Sequence, residues 1–544
     1  VLVVECYPGV DEVEIERALA ERMSFQRIVR VGWAWRSEPE IEALVAPWLG
    51  GDDPVFGYLS RLSLPDFLDP ERVAELRLAV ASEKQGWVLV VGCGAGAIAE
   101  GDVRVYADLS RWEVQQRFRR NEVGNLGVGN RTAPVAEKYK RAFFVDWRVA
   151  DRWKRPWLVG CDYVLDTHQA GVPRLAEGGA VRAGYRAAVR RPFRVVPYFD
   201  PAPWGGRWLQ ERLGLPGGVP NYGWGFDGVP EENSLVLDLG GTQVEVPSIN
   251  LVFDQPRALL GEAVHARFGE EFPIRFDFLD TWGGGNLSFQ VHPLTEYIQR
   301  HFGMHYTQDE SYYLLEAGPE ASVYLGWKKG VDREAVIREL REAQSGGSPF
   351  PAERHVRRWP ARRHDHFLIP AGTVHCSGSG AVVLEISATP YVFTFKMWDW
   401  GRMGLDGRPR PVHLEHGLAN VDWDRTEDWV GRHLVNAVTP VGSGPGWREE
   451  RTGLHEREFI ETRRHWFRGP VLHDTQGGVQ VLNLVQGEAA VVESPDGAFD
   501  PMPVRFAETF IVPAAVGPYR IRPLAESPLE ALATIKAYVR TGLS

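Results

Sequence analysis

The chain has 544 residues, 44% hydrophobic and 24% charged, which is the make-up of a globular protein too long for one core; about three domains are expected. Its 61 basic and 72 acidic residues give a net charge of -11, which speaks against nucleic acid as a partner, although a few local cations would suffice for a sugar phosphate. Four scattered cysteines (Cys6, Cys93, Cys161, Cys376) form no CxxC pair, the longest apolar run is too short and glycine-rich to span a bilayer, and no basic leader precedes an apolar segment, so disulfides, a membrane partner and a signal peptide are not expected and a cytoplasmic location is.

From the amino terminus, "VLVVE" reads as a short strand and "DEVEIERALAERM" as a helix with apolar residues at helical spacing. "GWVLVVG", "VRVYADLS", the helical "RWEVQQRFRRNE" and "PWLVGCDYVLDTH" continue the alternation, so residues 1–187 are expected to form a mostly parallel α/β domain. "RAAVRRPFRVVP" reads as a linker. Beyond it come short β-rich runs with Gly and Pro turns, among them "NSLVLDL", "IRFDFLD", "NLSFQVH", "SYYLLEA", "HFLIPAG" and "AVVLEIS", the texture of a β-barrel over 188–425. One helix interrupts it at "VDREAVIRELREAQ", with Asp332 as N-cap and Val336, Leu340 and Ala343 on one face. From 426 to 544, "VQVLNLVQGEAAVV" and "ETFIVPAAVGPYRI" echo the first barrel, which predicts a second, smaller one. Most of the 20 tryptophans are expected in these cores.

"VLVVGCGAGAIAEGDVRVYADLS" has a strand and a GxGxxA from Gly92 to Ala97, but only Ile98 to Asp102 separate the loop from the next strand. A cofactor fingerprint needs a helix there, whose amino-terminal amides hold the anion. A tight glycine turn is the better reading. "VLVVECYPGVDEVEI" has a strand-loop-helix arrangement without GK[ST], and Asp11 and Glu12 would repel phosphate. This third of the chain weakly resembles a uridine-kinase-type P-loop domain that has lost its loop chemistry; a scaffold or contact role is favoured.

The chemistry gathers in the first barrel. Gln290 and His292 lie two apart in "NLSFQVHP" and therefore on one side of a strand. Glu310 opens a later strand in "QDESYYLLEA", a Pro-x-Gly turn delivers His375 in "HFLIPAGTVHCSG", and Glu385 follows in "AVVLEIS". Singly, each is an ordinary buried amide, core histidine or surface carboxylate. Together, two imidazoles, a carboxylate and an amide oxygen are what Zn²⁺ accepts, in the general layout of a cupin metal site.

At these residues the chain resembles class I mannose-6-phosphate isomerase. "PYFDPAPWGGRWLQERLG" matches the family's WGG element, "FPIRFDFLD" its FPLLVKFID, "LSFQVHP" its LSVQVHP, "PAGTVH" its PAGTVH, and "LEIS" and "FKMWDWGR" its LEIQ and YRVYDWGR. The resemblance runs from about 192 to 405 and more loosely to the end. It implies one Zn²⁺ per chain held by Gln290, His292, Glu310 and His375. It also implies an intramolecular oxidoreductase acting on a sugar or sugar phosphate, with Trp204, Asp277 and Gln308 at substrate-binding positions. Glu385 is the candidate base, or equally a carboxylate orienting a ligand histidine, and Lys396 a partner for an oxyanion or phosphate.

The chain departs from the family where cations are needed. Asp277 and Gln308 stand where the family has lysines, and Lys396 where it has an arginine, which forfeits bidentate contact with phosphate. The second barrel has "PAAVGPY" in place of "PAGTVH" and is expected to be metal-free and structural. Two functions remain beside an isomerase: a non-catalytic metal-containing sugar-binding or regulatory protein, and a kinase–isomerase fusion. A homo-oligomer is left open.

Overall fold

The computed structural model describes residues 1–453, 455–525 and 530–541. The chain divides into two compact units, Val1–Ala188 with Pro230–Gln255, and Val189–Val229 with Pro256–Ser544. Among the described residues no helix is long and apolar enough to cross a membrane, and Cys6, Cys93, Cys161 and Cys376 are buried and unpaired.

The first unit is built on six strands: β1 (Leu2–Cys6), β2 (Phe25–Arg30), β3 (Trp87–Gly92), β4 (Val103–Asp108), β5 (Tyr163–Asp166) and β6 (Arg174–Glu177). They lie in the order β2-β3-β1-β4-β5-β6, parallel except for β6. All five residues of β1 are buried, as an inner strand covered on both faces requires. The glycine loop after β3 contains a single helical turn, Ala95–Ile98, and the strand it leads to is parallel but not adjacent to β3, since β1 lies between them. The amides of that loop already donate to carboxyl groups of the protein itself. Gly94 and Gly96 donate to the two oxygens of Glu5 at 2.6 and 2.8 Å, and Cys93 donates to Glu12 at 2.8 Å. Burial pushes the Glu5 carboxyl up to about 7. At the first helix, Asp11 accepts from the amides of Val13 and Glu14, the donors a phosphate would need.

"NSLVLDL", expected within the metal-binding barrel, lies elsewhere. Ser234–Asp238 pairs only with Gln243–Pro247 as a hairpin, and this excursion groups with the first unit. There the backbone amide of Glu245 donates to Asp166 at 2.9 Å and Asn250 donates to Asp108 at 2.8 Å. An extra segment satisfies carboxylates left at the ends of β4 and β5.

The second unit holds two barrels, each made of two antiparallel sheets. The first has a six-stranded sheet that includes Ile274–Asp280, Glu310–Ala317 and Ala381–Ala388, and a five-stranded sheet that includes Phe289–Val291, His375–Ser377 and Phe395–Trp398. Its surface helix, Arg333–Gln344, is capped by Asp332 and buries Val336, Leu340 and Ala343. The second barrel has six- and four-stranded sheets. Its apolar core draws Leu482, Leu484 and Phe510 from one sheet and Val492, Val504 and Ile521 from the other.

Candidate metal centre

The residues of the five-stranded sheet meet in one row. Gln290 is directly opposite His375 on one side and Lys396 on the other. Directly opposed residues of an antiparallel pair present their side chains on the same face. Across the barrel, two further rows cross the six-stranded sheet: Arg275–Ser387–Glu310 and Asp277–Glu385–Tyr312. Members of the two rows are two apart along each strand, so all share the interior face.

The Pro370–Thr373 turn joins these parts. Gly372 has φ of +87°, and its amide donates to the carbonyl of His292 at 3.0 Å. The Ala371 amide donates to the Asp309 carboxylate at 2.7 Å, next to Glu310. The turn is thus bonded to the strands of two donors while it delivers a third.

His292, Glu310 and His375 gather their donor atoms within 4.8 Å of one another, all buried. Glu310 Oε2 lies 3.0 Å from His292 Nε2, and Oε1 lies 2.8 Å from His375 Nε2. Each imidazole turns its Nδ1 to a backbone carbonyl, Phe393 at 3.3 Å and Thr373 at 2.9 Å. A proton on Nδ1 leaves the Nε2 lone pair facing the carboxylate. His292 Nε2 and Glu310 Oε1 are buried and have no hydrogen-bond partner. Two acceptors held that close call for a positive charge between them, and the donor set suits a borderline cation such as Zn²⁺. Gln290 places its Nε2 3.1 Å from His375 Nε2 and accepts from Ser288 at 2.8 Å; exchanging its amide atoms would present an oxygen as fourth donor.

Gln308 ties this cluster to Glu385: its amide donates to Glu310 at 3.1 Å and to Glu385 at 3.3 Å. Burial first, then Asp277 and Glu310, push the Glu385 carboxyl well up. Lys396 has Arg402, Arg410 and Asp399 as its charged neighbours, and burial lowers its ammonium to about 8. Trp204 is buried edge-on to Trp224, with ring centroids 5.1 Å apart. Asp277 is fully buried, 3.5 Å from Arg275. Sequence reasoning missed Arg275 and Asp309. Arg275 was signalled by its place two residues before Asp277, on the same side of the strand.

Comparison with known proteins adds three findings. Residues 1–190 match a family described as a domain of unknown function, DUF8485, and the resemblance to a P-loop domain gains no support from it. The mannose-6-phosphate isomerase of Streptococcus mutans serotype c is 27% identical over 297 residues, 53% of this chain and 83% of that protein. Mannose-6-phosphate isomerase ManA of Bacillus subtilis is 23% identical over 232 residues, 42% of this chain and 68% of that protein. The crystal structure of the Bacillus subtilis mannose 6-phosphate isomerase superposes with a TM-score of 0.51 at 17% identity, covering 64% of this chain and 99% of that one. Over about half its length the chain is therefore homologous to class I, cupin-type mannose-6-phosphate isomerases, and it shares their fold.

Proposed function

We propose that the chain is a zinc-dependent aldose–ketose isomerase that interconverts mannose 6-phosphate and fructose 6-phosphate, or a related sugar pair, through an enediol. The observation that carries this is the convergence of Gln290, His292, Glu310 and His375, with Nε2 and carboxylate oxygens facing one another at 2.8–3.0 Å. Homology to sugar isomerases over the same residues supports it. When bound, zinc supplies Lewis acidity for the sugar oxygens that gain charge. Glu385 carries the proton between C1 and C2, and Gln308 fixes its carboxylate against Glu310. Lys396, in register with Gln290, offers a positive charge to an oxyanion or phosphate. On this reading 188–425 is the isomerase barrel, apart from the excursion at 230–255, while 426–544 forms a second barrel and 1–187 a scaffold or contact domain.

The test is NMR of mannose 6-phosphate and free mannose in D₂O. Solvent deuterium should enter C2 and should stop doing so with EDTA; no exchange with either sugar overturns the isomerase reading. One observation favours a second function, a non-catalytic sugar-binding or regulatory protein. Asp277 stands opposite Glu385 where the family has a lysine. That reading expects ligand-induced thermal stabilisation without deuterium uptake.

A further inference from the structure

The second barrel is expected to be structural, yet its interior is apolar at one end only. On its larger sheet three rows cross strands Ile460–Phe467, Leu532–Val539 and Gln480–Gln486: Glu461–Tyr538–Gln480, Arg463–Lys536–Leu482 and His465–Thr534–Leu484. Leu482 and Leu484 belong to the core, so the whole face is inward. The other sheet adds His473, buried and stacked on Tyr519 with centroids 5.1 Å apart. Apart from Thr534, these polar side chains line a cavity of about 610 Å³, a size suited to a small molecule.

Most of the charge there is already matched. Arg463 bonds Glu461 at 2.6 Å and Glu449 at 3.1 Å, His465 Nε2 lies 3.1 Å from Glu449, and the Tyr538 hydroxyl donates to Glu461 at 2.6 Å. Lys536 is the exception among the cations of these rows, feeling Glu449 and Glu461 only from beyond contact, while Arg540, which also lines the cavity, gives its guanidinium to the carbonyls of His455 and Glu458. Lys536 is 7% exposed, its ammonium lies 5.8 Å from the Tyr538 ring centroid, and among the described residues no carboxylate is within ion-pair distance of it. His473 Nε2 is buried without a partner, although His473 is only 5% exposed. An ammonium without a contacting carboxylate and an unmatched imidazole nitrogen inside a barrel are destabilising unless something satisfies them. A cation does not fit: His465 Nε2 is committed to Glu449, Lys536 faces the same space, and the described residues gather a three-donor metal group only in the first barrel.

We propose that the mouth of the second barrel binds a small organic anion, whose carboxylate or phosphate group is taken by Lys536 and by the unpartnered imidazole nitrogen of His473. Burial pushes the His473 imidazole well below its usual range, and its unpartnered Nε2 is the hydrogen-bonding group beside the Lys536 ammonium.

The full chain is titrated calorimetrically with inorganic phosphate and, separately, with citrate, which tells a phosphate site from a carboxylate site. The expected result is one saturable site for at least one of them, weakened at least tenfold by Lys536→Met and by His473→Phe and unchanged by His292→Ala in the first barrel. His473→Phe keeps the ring volume and carries the test should Lys536→Met not fold. The proposal is overturned by no saturable binding of either anion, or by a site lost in His292→Ala and kept in the other two variants. It is also overturned by a second equivalent of zinc per chain that disappears in His473→Phe.

Discussion

The amide of Gly372 donates to the carbonyl of His292 at 3.0 Å, so the turn that delivers His375 is tied to the strand that carries His292. A Cβ on Gly372 would meet Leu294 at 3.0 Å and the Asn420 carbonyl at 3.1 Å, at a φ of +87° that disfavours any side chain. Gly372→Ala is expected to destabilise the chain by about 1–2 kcal/mol. Because the strain falls between two donors, zinc retention should fall as well. Urea unfolding and metal analysis after dialysis read both effects, and an unstrained variant with full metal content would contradict this role of the turn.

Removing a donor should empty the centre. His375→Ala and Glu310→Gln are expected to lower metal affinity by more than the roughly ten- to hundredfold typical of losing a supporting partner. Glu310→Gln is the more informative, because it keeps the shape and removes the negative charge that faces both imidazole nitrogens. Metal content of purified protein is the measurement; one equivalent retained in both variants would remove these residues from the ligand set.

Glu385→Gln separates base from ligand. On the isomerase reading, kcat drops by about 10²–10⁴-fold while the metal stays bound. Asp277→Asn tests the same carboxyl through its pH profile. Burial and then Asp277 hold the Glu385 pKa up, so removing the Asp277 charge lowers it. A base must be deprotonated, and the acid limb of kcat/KM should therefore move to lower pH. A limb that stays put, or moves up, rules out Glu385 as the group that sets it.

The first unit carries its own pH dependence. Glu5 has its carboxyl raised from 4.5 to about 7 by burial, outweighing the amides of Gly94 and Gly96. In that case the folded state binds the proton more tightly. The stability this contributes is full below pH 4.5 and is lost as pH rises through about 7, a difference of about 3 kcal/mol. Urea midpoints between pH 4.5 and 8, compared with those of Glu5→Gln, isolate the effect. The variant should show the shallower fall, and parallel curves would refute the assignment.

Much of the candidate site was legible in the chain. Gln290 and His292 at i, i+2, Glu310 opening a strand, and His375 after a Pro-x-Gly turn are local features, set by a strand period of two and by turn chemistry. The length of the glycine loop likewise left room for no more than the single helical turn, Ala95–Ile98, that forms there. Other features depended on partners distant in sequence. Glu5 meets Gly94 across 89 residues, and Asn250 meets Asp108 across 142. Nothing in "NSLVLDL" tells which sheet that strand will leave unjoined. Alternation likewise groups Glu461, Arg463 and His465 on one side of a strand without saying whether that side faces water or the barrel. A side becomes an interior only when long-range pairing brings other strands against it. For that reason the sequence by itself determined which side chains act together, and the tertiary structure decided which of those sets enclose a site.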